Sequence, residues 1–157
     1  MNLTTELARH LREAHFGGSM TGVNLKDALK DVSWQQATKQ IYTFNTIASL
    51  VYHMNYYVRA VLKVLKGGPL DAHDKYSFDL SPIESEDDWE DLLENVWADA
   101  EAITKSIEQM PESKLRDTFW DEKYGNYYRN IQGVIEHFHY HLGQIVLIKK
   151  ILLHSRK

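Results

Sequence analysis

The stretch that most limits the fold runs from residue 134 to residue 148, where proline is absent and apolar side chains are dense. Apolar residues recur within and around it at intervals of three and four, at positions 131, 134, 135, 138, 142, 145, 148 and 152. This spacing predicts an amphipathic α-helix of about 25 residues that starts near Tyr127. The last part of the chain is therefore expected to be one long helix with a single buried face.

Two histidines on this helix are spaced for metal binding. His137 and His141 are four residues apart, so their rings lie one turn apart on the same face. Gln144 shares that edge of the buried stripe, whereas His139 and Glu136 project elsewhere and can serve neither as a further ligand nor as a base there. Such a pair can hold one divalent ion if another helix supplies the third ligand. The alternative is two surface or capping histidines.

The composition limits both the size of the fold and the kinds of site. With 157 residues the chain is expected to form one domain, residues 1–157, with a substantial core. It contains no cysteine, which excludes disulfides, thiolate metal ligands and a cysteine nucleophile. Any metal must therefore rest on histidine, carboxylate and water. Zinc and nickel lead the candidates, followed by iron and manganese.

Charge and hydropathy bear on partners and location. The net charge of −4 gives no electrostatic footprint for nucleic acid. No apolar run approaches the length needed to cross a bilayer, so no membrane association is expected. The first six residues lack a basic and apolar signal pattern, which makes the cytoplasm the expected location.

Apolar spacing and helix-ending residues predict three further substantial helices, over residues 3–15, 35–66 and 85–110. A brief helix capped by Asn24 lies between the first two. The length of the connection at residues 70–83 suits a crossover rather than a tight hairpin, and residues 111–126 form a second long connection that leads into the last helix. The sum is an all-α four-helix bundle.

Several further side chains allow both a structural and a functional interpretation. His53 lies at the edge of the apolar stripe of the second helix, where it is either a satisfied core residue or the missing metal ligand. Tyr57, one turn later, either packs in the core or contacts a metal-bound substrate. His10 and His15 near the end of the first helix are expected to be solvated or capping residues. The tryptophans of the third helix are expected in the core or at a dimer interface.

One combination of residues resembles a known family. It comprises the segment Leu50-Val51-Tyr52-His53, the pattern His137-x3-His141-x2-Gln144-Ile145, a long crossover and an acidic, tryptophan-bearing third helix. Together these resemble the DinB/YfiT-like superfamily of metal-dependent enzymes. The segment from Asn24 through Gly68 is similar to its DUF1572-type members. The resemblance covers nearly the whole chain, and its most diagnostic stretch is residues 141–145.

The resemblance implies a DinB-like four-helix bundle in the order up-up-down-down, with long crossover loops. It also implies a homodimer and a divalent metal ion held by His53, His137 and His141. Members of the superfamily include transferases that couple small thiols to electrophiles, and others described as hydrolases or isomerases. A small-molecule substrate or thiol is therefore the expected partner.

Three hypotheses about function follow. In the first, the chain is an enzyme whose three-histidine site activates water or a small thiol for hydrolysis or S-transfer. No acidic residue lies near the three histidines on either helix, which favours chemistry that needs little further protein assistance. In the second, the chain is a non-catalytic metal- or ligand-binding dimeric bundle acting in stress response. In the third, it is a structural bundle whose histidines are hydrogen-bonded and dry.

Overall fold

The computed structural model describes residues 2–154, in which six α-helices and no β-strand occur. Four of the helices are long and two are short. Three short 3-10 turns lie in the connections at 74–76, 112–116 and 122–124. The α-helices are Leu3–Phe16 (α1), Leu25–Leu29 (α2), Trp34–Ala37 (α3), Ile47–Leu65 (α4), Glu86–Glu108 (α5) and Tyr127–His154 (α6). The predicted all-α bundle and the start of the last helix at Tyr127 are confirmed.

The helices begin where short polar side chains can accept hydrogen bonds from the first turn. Asn24 accepts from the backbone of Asp27, and Ser85 accepts from the backbone of Asp88. These bonds satisfy amide groups that have no partner inside a helix. Gly67, just beyond the end of α4, takes a positive φ of 84° that a residue with a side chain rarely adopts. Local sequence therefore sets the main helix boundaries.

The interior consists of two hydrophobic clusters that mark the two ends of the bundle. We call them the Trp89 cluster and the Ile107 cluster, after a fully buried residue in each. The four long helices contribute to both, and α1 and α4 each pack along both α5 and α6. The Trp89 cluster includes Ala14, Leu25, Leu29, Leu50, Met54, Val96, Phe138, Leu142 and Ile145. The Ile107 cluster includes Leu7, Leu11, Val58, Val61, Ile103, Leu115, Phe119, Ile131 and Val134.

The direction of the helices differs from the up-up-down-down order expected from the resemblance. Helices α1 and α6 run from the Ile107 cluster to the Trp89 cluster, and α4 and α5 run the opposite way. The order is therefore up-down-down-up. The reason lies in residues 17–46, which stay at the Trp89 end because α2 packs its apolar side chains into that cluster. The chain thus enters α4 at the end where it left α1.

Only one of the two long connections crosses between the ends. Residues 66–85 carry the chain back from the Ile107 end to the start of α5, as predicted for a crossover. Residues 109–126 instead remain at the Ile107 end, where Leu115 and Phe119 join that cluster and Glu112 accepts from the Leu3 backbone at 2.8 Å. The crossover is therefore the connection that passes along the side of the bundle between α4 and α5.

One histidine lies in the core, contrary to the sequence-based expectation. His15 is completely buried, with its ring 4.1 Å from that of Phe138. Its Nδ1–H donates to the Leu11 carbonyl at 2.8 Å, and its Nε2 has no partner. The expectation of a solvated or capping role was wrong because His15 lies one turn after Leu11, on the buried face of α1. His10 is exposed, as expected.

His15 should make stability depend on pH. Burial lowers its pKa from 6.5 to about 4. Between these pH values His15 is therefore protonated in the unfolded chain and neutral in the folded chain. The contribution of His15 to the free energy of unfolding has its full value above pH 6.5. It falls by roughly 2–3 kcal/mol as the pH drops towards 4. In His15→Leu the free energy of unfolding should therefore fall less between pH 6.5 and pH 4 than in the wild type, by roughly 2–3 kcal/mol. Urea unfolding of the two metal-free proteins measures this difference. Identical pH profiles for the two proteins would contradict the assignment.

Candidate metal centre

The antiparallel packing of α4 against α6 brings His53 to the pair on the last helix. His53 and His141 are buried and His137 is half-buried. The Nε2 atoms of His53 and His137 lie 3.0 Å apart. One ring nitrogen from each of the three histidines falls within 4.8 Å of the others. All three sequence-predicted ligands are therefore together, although 84 residues separate the first from the second.

The arrangement fits a divalent ion. Nitrogen ligands at 2.0–2.1 Å from a tetrahedral ion lie about 3.3 Å from one another. The observed separations, from 3.0 Å to at most 4.8 Å, bracket that spacing. Burial and the two neighbouring histidines lower the pKa of His137 to about 4, and burial lowers the pKa of His53. Both rings are therefore neutral at neutral pH, with lone pairs available to a cation. A cation at this place would take the lone pairs of both Nε2 atoms in place of the hydrogen bond that they make with each other.

Gln144 holds the third ring in the orientation that a metal ligand needs. His141 Nδ1–H donates to Gln144 Oε1 at 2.7 Å. This bond fixes the proton on Nδ1 and leaves the Nε2 lone pair free, as the hydrogen-bond partners of metal-binding histidines commonly do. Gln144 could either orient a ligand or seal the packing between helices, and this contact supports ligand orientation.

Replacing Gln144 should weaken metal binding without abolishing it. In Gln144→Ala the ring loses its acceptor, and we expect affinity for zinc to fall about 10–100-fold, as measured by competition with a chelator. Gln144→Glu keeps an acceptor at that place and should retain or exceed wild-type affinity. Equal affinities for Gln144→Ala and the wild type would show that the bond does not orient the ligand.

The crossover contributes groups that helix periodicity could not identify. The hydroxyl of Tyr57 donates to the carboxylate of Asp74, in the 3-10 turn Asp74–Tyr76. Burial and this bond raise the pKa of Tyr57 to about 12, so the phenol stays protonated. The Phe78 ring stacks on His53 with centroids 4.0 Å apart and planes 10° apart. A carboxylate therefore lies near the histidines after all, but it comes from a connection rather than from a helix.

A second tyrosine holds this segment against α4. The hydroxyl of Tyr56 accepts from the His73 amide at 2.8 Å and donates to the His73 carbonyl at 3.1 Å. Tyr57 itself lies edge-on to both His53 and His137, with ring centroids 5.2 and 4.9 Å away. Residues 73–78 thus form one wall of the site. No pattern in residues 70–83 indicated this, because irregular segments carry no periodicity.

The remaining histidine of the last helix is separate from the site. His139 Nδ1–H donates to the carbonyl of Ile135 at 2.9 Å, one turn back on α6. Glu136 is exposed. The helical geometry that excluded both residues from the metal cluster is therefore confirmed.

A cavity of about 760 Å³ opens beside His137. One wall is α4, with Tyr57, Ala60 and Val61, and the opposite wall is the first half of α6. The crossover segment from Leu70 to Lys75 lines a third side. This volume is in the range of sites for small organic molecules. The candidate ligand His137 therefore borders a space large enough for a substrate.

Comparison with known proteins supports one family assignment. Residues 20–145 match the family model described as the DinB superfamily. The matched range covers most of the chain and contains the three histidines and Gln144. No curated protein and no solved structure gives a significant match.

Proposed function

The chain belongs to the DinB superfamily, and on that premise we propose that it is a metal-dependent enzyme acting on a small molecule. The observation that carries the proposal is the convergence of His53, His137 and His141 beside the cavity. Three protein nitrogens leave coordination positions open, as in catalytic zinc sites, whereas structural sites are closed by four ligands. Zinc or nickel suits an all-imidazole donor set best, with iron and manganese as further candidates.

The chemistry is Lewis-acid activation of a nucleophile. A divalent ion at this site would lower the pKa of a bound water or thiol enough for attack on an electrophilic substrate, giving hydrolysis or S-transfer. Around it, Gln144 orients His141 and Phe78 covers one face of His53. The Tyr57 hydroxyl, held by Asp74, stands at the border between the histidines and the cavity, where it can position a polar group of the substrate.

The cavity favours an enzyme over a non-catalytic binding bundle. A structural metal site would need no such space, and a dry histidine cluster would have every ring nitrogen hydrogen-bonded. The facing Nε2 atoms of His53 and His137 have only each other as partners among the described residues. The hypothesis of a purely structural bundle is therefore the weakest of the three.

Partners and location stay predictions. A homodimer is supported by exposed apolar side chains along the second half of α6, Tyr140 and Leu147, and by Phe44 nearby. Sedimentation of the purified protein would measure it. Within the described part of the chain no helix is both long enough and apolar enough to cross a membrane. A cytoplasmic location, a single domain over residues 1–157 and the absence of nucleic-acid binding complete the proposal.

Activity assays on metal-restored protein test the function. Protein purified without a histidine tag is loaded with zinc or nickel and assayed for ester and amide hydrolysis and for transfer of small thiols to epoxides and aryl halides. We expect one of these activities, its loss on chelation, its return with metal, and its absence in His53→Ala. His139→Ala should remain active. Loaded protein inactive in both reaction classes would contradict the proposed chemistry.

A further inference from the structure

The cavity beside the histidines is a groove that follows the first half of α6. His137 lies at one end of its α6 wall and Arg129 lies at the other, with Gly133 between them. Eight residues of helix separate His137 from Arg129, which corresponds to about 12 Å along the axis. A molecule lying in the groove would therefore reach the metal cluster with one end and Arg129 with the other.

The middle of the groove is kept open by a glycine. A Cβ added at Gly133 would meet no described atom within 4 Å, so the space above it is empty. Ala60 and Val61 face it from α4, and Leu70 lines the crossover side. A glycine within a helix lowers stability by about 1 kcal/mol relative to alanine. At position 133 it leaves open a space that a side chain would fill. The middle of the groove thus suits an apolar chain.

The far end of the groove carries an uncompensated positive charge. Arg129 is exposed, and within residues 2–154 no carboxylate lies at ion-pair distance from its guanidinium. The second cation that lines the groove is Lys75. The carboxylate that lines it, Asp74, accepts the hydrogen bond from Tyr57. The guanidinium fork is matched in shape and charge to a single carboxylate.

The arginine stem is held in place by the turn before α6. Gly125 has a φ of 75°, and a Cβ there would lie 2.8 Å from the Cδ of Arg129. The stem therefore packs directly on the glycine backbone. The Arg129 amide also donates to Asn126 Oδ1 at 2.9 Å, which anchors the first turn. These contacts restrict the position of the Arg129 side chain at the end of the groove.

From these contacts we propose that the groove binds a substrate bearing a carboxylate about 12 Å from its reacting atom, with Arg129 as the carboxylate anchor. The inference rests on the proposed function for the reacting end, because it takes the histidine cluster as the place of reaction. It adds the substrate class: an anion with an apolar spacer. Arg129 is a specificity-determining residue with no part in holding the metal.

Thiol probes of defined length test the anchor on zinc-loaded protein by calorimetry. 8-Mercaptooctanoate can bind through its thiol and span the groove, 8-mercaptooctanol lacks the charge, and 3-mercaptopropionate is too short to reach Arg129. Because the chain has no cysteine, the probes cannot form mixed disulfides with it. We expect the long carboxylate to bind about tenfold more tightly than the alcohol, the effect of one charged hydrogen bond. Arg129→Gln should remove that advantage and leave the short probe unaffected.

A matched pair of glycine substitutions tests the route through the groove. Gly133→Leu should weaken both long probes at least tenfold and spare the short one. Gly143→Leu lies on the same helix at an exposed position outside the groove, where a Cβ also meets no described atom within 4 Å. It should leave the binding of all three probes unchanged, even where it alters self-association through the face of Tyr140 and Leu147. Equal effects of the two substitutions on the long probes would contradict the proposal that these probes lie in the groove over Gly133. Circular dichroism and urea unfolding establish that each variant is folded.

Failure of the anchor and failure of the proposed function give different results. If the two long probes bind zinc-loaded protein equally, or if Arg129→Gln leaves their difference intact, the anchor is refuted and the metal site stands. If no thiol binds in a zinc-dependent manner, the proposed function fails. Octanoate and octanol titrated into metal-free protein then test the anchor alone, and Arg129-dependent preference for octanoate is the result expected of it.

Discussion

His137→Ala is expected to abolish tight metal binding. The wild type should carry about one divalent ion per chain, and the variant should bind more than about 100-fold more weakly, because removing a direct ligand exceeds the effect of removing its hydrogen-bond partner. At a zinc concentration 100 times the dissociation constant the wild type gains about 2.7 kcal/mol. For a chain of this size that is a rise of roughly 5–11 °C in Tm, which the variant should lack.

The control for this experiment lies on the same helix. His139 is two residues further on and bonds to the Ile135 carbonyl, away from the cluster. His139→Ala should therefore keep full metal content and the full zinc-dependent rise in Tm. Metal content by mass spectrometry and thermal unfolding with and without zinc measure both quantities. A wild type that takes up no zinc, nickel or manganese, or a His137→Ala protein that retains its ion, would remove the basis for the metal site.

Phe138→Ala is expected to cost about 3–5 kcal/mol of unfolding free energy, the range for deleting a large buried aromatic side chain. Phe138 is 1% exposed and packs in the Trp89 cluster against His15. Alanine would leave a cavity between α1 and α6. Whole domains are stable by only about 5–15 kcal/mol, so this single change removes a large part of the total.

Urea unfolding of metal-free protein measures this cost without the contribution of bound metal. Tyr128→Ala, on the same helix but 42% exposed and away from the proposed dimer surface, should change stability by less than about 0.5 kcal/mol. A loss below about 1 kcal/mol for Phe138→Ala would mean that the Trp89 cluster repacks freely around the missing ring. The comparison separates the stability of the hydrophobic core from any stability supplied by metal.

Local sequence was sufficient for most of the elements but not for their arrangement. The helix predicted over residues 35–66 was wrong in its first part, because the chain leaves the helical conformation at residues 38–46, where Tyr42 has a φ of 50°. Ser85 and Gly67 identified a helix start and a helix end, because a capping hydrogen bond and a positive φ depend only on nearby residues. The up-down-down-up order was not predictable in the same way. It depends on α2 packing into the Trp89 cluster, a contact between segments far apart in the chain.

The same division applies to the site. That His137, His141 and Gln144 share one face follows from helix geometry alone. That Asp74 reaches Tyr57 and that Phe78 covers His53 depends on how an irregular crossover lies against α4, and irregular segments have no periodicity from which to infer contacts. His15 shares the buried face of α1 with Leu7 and Leu11, which the helical periodicity already indicates, whereas the contact of its ring with Phe138 depends on another helix.

The sequence by itself determined an all-helical chain with an i, i+4 histidine pair on its last helix, since both follow from 3.6-residue periodicity and short-range capping. The resemblance pointed to His53 as the third histidine. Only the tertiary structure decided that His53 meets the pair with its Nε2 3.0 Å from that of His137, and that a groove leads from there to Arg129. These features depend on the register of α4 against α6 and the path of the crossover. Both are set by the packing of whole helices, which no local pattern encodes.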